Sequence, residues 1–151
     1  MGISNYISYL QRSEEELAKA FKDVSKEHMR EPDVYEMCRL FASWSLDHVQ
    51  NLAAMLSRYG KEKENEPGQM VYSLLGRTTG SLGLLGDLRL LWVMTNEVKL
   101  GWIILQQCSK ALQDEKLKLA CVQFGSQTIR QTEWLTMKIK HSAPQILTVP
   151  L

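Results

Sequence analysis

An all-α bundle of four helices in a single domain is the fold this sequence predicts, on three observations. Four long stretches place apolar residues three and four positions apart, the spacing of one helix face, and nowhere is there a credible strand pattern. The second half echoes the first: Phe41, Ser45, His48 and Leu52 recur 83 residues later as Phe124, Thr128, Gln131 and Leu135, and the same shift carries Glu14 onto Glu97. A long charged and glycine-containing segment separates the halves, longer than an up-and-down bundle needs.

Taken in order, helix 1 is expected over about Ser4 to Met29, with Tyr6, Leu10, Ser13 or Glu14, Leu17, Phe21, Val24 and His28 inward. Proline at position 32 disfavours helical geometry at Glu31, and Asp33 with Glu36 three residues on makes a capping-box pattern that starts helix 2. Helix 2 then runs to about Tyr59, with Gly60 closing it. Its inward face is Val34, Cys38, Phe41, Ser45, His48, Leu52, Met55 and Tyr59, so a histidine points at the core. The segment from Lys61 to Gly80, with Pro67-Gly68 and Gly76-x3-Gly80, reads as a long crossover from helix 2 to helix 3, with a short helix near Met70 to Leu75.

Helix 3, about Leu82 to Leu112, is apolar over most of its circumference. Leu84, Leu88, Leu91, Thr95, Val98, Trp102, Leu105, Ser109 and Leu112 form one stripe; Leu90, Met94, Gly101, Ile104 and Cys108, with Glu97, form an adjoining one. A helix apolar on two faces is central or carries a second interface, the simplest being a symmetric homodimer. Helix 4 is expected to begin at an Asp114 cap and run to about Ser142, stopped by Pro144, with a tail that docks through Ile146, Leu147 and Val149.

Composition narrows the function classes. With 18 basic and 17 acidic side chains interspersed and a net charge of +1, there is no electrostatic footprint for nucleic acid or an anionic membrane. The stretch from Leu82 to Leu105 carries Asp87, Arg89, Glu97 and Lys99, each worth a few kcal/mol against burial at a bilayer centre, so it reads as a core helix. Cys38, Cys108 and Cys121 are odd in number and have no C-x-x-C spacing, which suits buried free thiols in a reducing compartment. Met1 to Tyr6 has no basic stretch or apolar run of a secretory signal, so a cytoplasmic address is expected.

The paired helices, the Glu31-Pro32-Asp33 junction, Trp44-Ser45-x2-His48 and the segment from Arg130-Gln131-x2-Trp134-Leu135 to Ala143-Pro144-Gln145 together resemble the ferritin-like superfamily. More narrowly they resemble a small bacterial ferritin-like group of unassigned function. Active members draw one glutamate from the first helix of each half and a Glu-x-x-His from the second to hold two irons. Carried over by position, the resemblance makes Glu14 and Glu97 the single glutamates, Ser45 and His48 the first pair, and Thr128 and Gln131 the second.

Three of those six ligands survive. A dinuclear iron centre needs several anionic oxygens, so an oxidase or an iron store is not expected. Glu14, His48 and Glu97 remain as a candidate set for one iron or manganese ion in a redox or stress protein. Against that stands a neutral core His48 bonded to Ser45, Thr128, Gln131 or a water, with Arg130, Gln131 or His48 compensating the two carboxylates. A small-ligand pocket where Ser45, Thr128 and Gln131 replace longer side chains is a third reading. The leading expectation is a bundle without catalysis or cofactor that associates with itself or with another protein.

Overall fold

The structure, a computed structural model, describes residues 2–60 and 81–150, the side chains of 81 and 82 excepted. They form α1 (Ile3–Glu27), α2 (Pro32–Tyr59), α3 (Ser81–Ala111) and α4 (Glu115–Leu147), with no strand among the described residues. The all-helical reading therefore holds. Residues 61–80, with the expected crossover, its Pro-Gly and Gly-x3-Gly signals and its short helix, lie outside the described residues.

Side-chain contacts give the helix directions. Ser4 meets Tyr59, Gln11 meets Val49 and Glu14 meets His48, so α1 and α2 are antiparallel. Leu10 lies against Gly101, Glu14 against Trp102 and His28 against Asp87, so α1 and α3 are antiparallel too. Asp33 pairs with Lys138 and Tyr59 with Asp114, which sets α4 antiparallel to α2. It follows that α2 and α3 run in the same direction. Residue 101 is glycine where α1 and α3 approach closely: a Cβ there would stand 2.6 Å from Leu10 Cδ1.

The core is one cluster drawn from every helix, with Leu17 and Phe21 of α1, Phe41 of α2, Leu91 and Trp102 of α3 and Leu135 of α4. Phe41 is its aromatic centre, with ring centroids 5.5 Å from Phe21, 5.1 Å from Trp44 and 5.8 Å from Trp134. Burial of such side chains contributes about 1.5–3 kcal/mol each, more than any surface contact here.

Helix ends differ from expectation in three places. Glu31 takes the cap position of α2 without a side-chain bond, and Pro32 at the first helical position starts the helix. Proline's fixed φ is already helical, so the start moves two residues upstream, from an Asp33 cap to a Glu31 cap. Asp33 then pairs with Lys138 Nζ at 2.7 Å instead of capping. Pro144 lies inside α4, which continues to Leu147 and closes with the Thr148 N–H on the Pro144 carbonyl. This near the end, its ring removes one hydrogen bond from an exposed turn that water can satisfy. The tail does not dock: Leu147 and Val149 are exposed and Ile146 is half-buried.

Two ends behave as the sequence indicates. Gly60 terminates α2 at φ +77°, its N–H on the Leu56 carbonyl. Asp114 caps α4, accepting the Leu117 N–H at 3.1 Å, while its other oxygen accepts from the Tyr59 hydroxyl and from Arg58 at 2.8 Å. The Tyr59 bond, then the Leu117 N–H and Arg58, hold the Asp114 carboxyl down to about 2.

Asp114 thus joins the two hairpins as well as capping a helix. Asp114→Ala is expected to destabilise the protein by about 1–2 kcal/mol. Asp33→Ala, which breaks an ion pair on a half-exposed carboxylate, is expected to cost about 0–1 kcal/mol. Urea unfolding midpoints of the two variants measure the difference.

Candidate functional site

Each helix sends one side chain to a polar cluster in the middle of the bundle. Glu14 comes from α1, His48 from α2, Trp102 from α3 and Gln127 from α4. Glu14 and His48 lie on the apolar stripes of α1 and α2 and are both fully buried. Glu14 Oε2 accepts from His48 Nδ1 at 2.5 Å and from the Trp102 indole N–H at 3.1 Å. On the far side of the imidazole, Nε2 meets Gln127 Oε1 at 2.6 Å. Phe124 and Trp102 pack against the ring, with centroids 4.8 Å and 5.8 Å away.

Both ring nitrogens face oxygens, to which an imidazole with a proton on each would donate twice. Burial alone pulls the His48 pKa down; the hydrogen bond and charge of Glu14, with help from Gln127 and Asp47, outweigh it and the net direction is upward. Geometry and the upward direction together point to a buried carboxylate–imidazolium pair. Such a charge is tolerated in the interior only when paired and hydrogen-bonded, as here.

A second layer lies alongside. Gln131 Nε2 donates to the Phe41 carbonyl at 3.1 Å and to Ser45 Oγ at 3.2 Å. The Thr128 hydroxyl donates to the Phe124 carbonyl at 2.8 Å. Ser45, Thr128 and Gln131 are fully buried, as their positions in the repeat imply. They do not bond His48, whose partners are Glu14 and Gln127. Two buried oxygens, Glu14 Oε1 and Gln131 Oε1, have no hydrogen-bond partner among the described residues.

Glu97 is not in the site. It is exposed, and its charge reaches the phenols of Tyr6 and Tyr9. The adjacent Val98 takes the inward direction, together with Leu91, Thr95 and Trp102, and the adjoining stripe turns outward at Glu97. What meets Glu14 from α3 is the Trp102 indole, a buried donor that needs an acceptor. Gln127, one residue before Thr128, carries no such sequence signal.

This donor set does not fit a dinuclear iron centre. It offers one carboxylate and one imidazole, both already bonded to each other, and no group of three or more His, Cys, Asp or Glu stands together among the described residues. The three-residue set for a single ion loses Glu97 and keeps two donors. The cysteines add nothing, since Cys38 and Cys121 are buried, which pushes both thiols up to about 12.

Two predictions follow from the pair. A histidine with a raised folded pKa contributes stability that is complete below its unfolded value of about 6.5 and is lost as pH rises through the folded value. Urea unfolding of the wild type is expected to show this loss as pH rises above about 6.5, and unfolding of His48→Gln is expected to lack it. His48→Ala, which strands the Glu14 charge, is expected to cost about 3–5 kcal/mol, whereas replacing both members in Glu14→Met/His48→Leu is expected to cost less. Thermal and urea unfolding of the single and double variants check that order.

Comparison of the chain with protein-family models, with curated proteins and with solved structures finds no match, so the reading of this site rests on its own residues and geometry.

Proposed function

We propose that this chain is a ferritin-like bundle, with a long crossover from α2 to α3, whose dinuclear-iron site has become a closed polar core. It works without catalysis, by associating with itself or with another protein. One observation carries the reading: the imidazole that would face a metal has both nitrogens engaged, by Glu14 and Gln127, while Glu97 stands in solvent. The common direction of α2 and α3 supports a crossover, since a tight turn joins antiparallel helices only. The repeat of Phe41, Ser45, His48 and Leu52 in α4 supports descent from a duplicated hairpin.

The cytoplasm is the proposed compartment, on the strength of three free cysteines. No described helix is long and apolar enough to cross a membrane. A second reading, one iron or manganese ion held by Glu14 and His48, is favoured by the unpartnered Glu14 Oε1. It requires His48 to give up a hydrogen bond and its charge.

Elemental analysis after anaerobic incubation with ferrous or manganous ion separates the two. The closed core is expected to retain well under one ion per chain, unchanged in His48→Ala. One ion per chain, lost in His48→Ala, would establish the second reading.

A further inference from the structure

We propose that Gln127 is the gate of the buried centre: its side chain swings away from His48 Nε2, and water, with any proton or small polar molecule it carries, reaches the imidazole by that route. The proposal rests on the closed-core reading in one respect, that Nε2 bears a proton which Gln127 accepts.

Four side chains enclose the ring, and three of them are locked. Glu14 is fully buried, and its Oε2 meets both His48 Nδ1 and the Trp102 indole N–H. Trp102 is buried and stands edge-on to the ring, while Phe124, also buried, lies 4.8 Å from it between centroids. Moving any of the three disrupts core packing, and on the Glu14 side it also strips a buried carboxylate of its donors.

Gln127 differs from the other three. It is half-buried, where they are buried. Along α4 its neighbours on one side, Gln123 and Arg130, are exposed, and those on the other, Phe124 and Gln131, are buried. It therefore stands on the border between solvent and core, reaching inward to place Oε1 2.6 Å from His48 Nε2.

That border position makes the swing easy. A partly exposed side chain changes rotamer in picoseconds to nanoseconds, and water can take over the hydrogen bond as the amide leaves. Held by one hydrogen bond to a charged ring, the closed arrangement outweighs the open one by roughly 10- to 100-fold. The gate is thus shut most of the time and opens briefly without unfolding the bundle. The two ring protons consequently have different lifetimes. The one on Nε2 meets water whenever Gln127 swings out; the one on Nδ1, aimed at Glu14, waits for the core itself to loosen.

Solvent exchange of the two ring protons, followed by nitrogen-detected NMR of the full chain at neutral pH, tests this. In the wild type the Nε2 proton is expected to exchange faster than the Nδ1 proton. Gln127→Ala, which removes the latch, is expected to speed Nε2 exchange by about 10- to 100-fold and to leave Nδ1 exchange near its wild-type rate. Gln127→Glu keeps the reach and an acceptor, and is expected to hold Nε2 exchange at or below the wild-type rate. Equal exchange at both nitrogens in the wild type overturns the gate, and that comparison stands even if a variant misfolds. Nε2 exchange unmoved by Gln127→Ala, or as fast in Gln127→Glu as in Gln127→Ala, overturns it too. Each of these results leaves the closed core intact, whereas a ring with no proton on Nε2 removes the gate and the charged pair together.

Discussion

Burying one carboxylate and one imidazole together constrains everything around them. Glu14 and His48 are fully buried on neighbouring helices, and the network closes only when Trp102 and Gln127 arrive from the other two. Rotating any helix out of phase would leave a charged or polar group in the interior without its partner, at a cost of several kcal/mol. Apolar residues of similar size would give comparable net stability, so the pair matters chiefly for deciding which faces meet.

The same constraint explains why the centre is a poor metal site. An imidazole that donates from both nitrogens has no lone pair for a cation, and the carboxylate oxygen nearest it already accepts two hydrogen bonds. Gln131 donates to the Phe41 carbonyl and to Ser45, and Thr128 to the Phe124 carbonyl, with no acid among them.

Much of this was legible from residue spacing. The helices, the Gly60 stop, the Asp114 cap and the inward direction of Glu14 and His48 follow from patterns with strong contrast between apolar and polar faces. Glu97 was not, and the reason is physical. Helix α3 is apolar over most of its circumference, so periodicity has little contrast there and cannot decide between Val98 and Glu97 as the inward residue. The repeat does not extend to Glu97 as a site residue, because Trp102, not a second glutamate, meets Glu14. Gln127 escaped notice because it is half-buried and joins the site only through the α2–α4 contact. At Asp33 and Pro144 local rules lost to context, an ion pair with Lys138 in one case and proximity to the helix end in the other.

Nitrogen-detected NMR of the His48 ring at neutral pH addresses the central claim most directly, because it reads the protonation of each ring nitrogen. The buried pair requires Nδ1 and Nε2 both to carry protons, each shielded from exchange and bonded to Glu14 and Gln127 respectively. A neutral ring with one bare nitrogen, or a ring in free exchange with solvent, would contradict it.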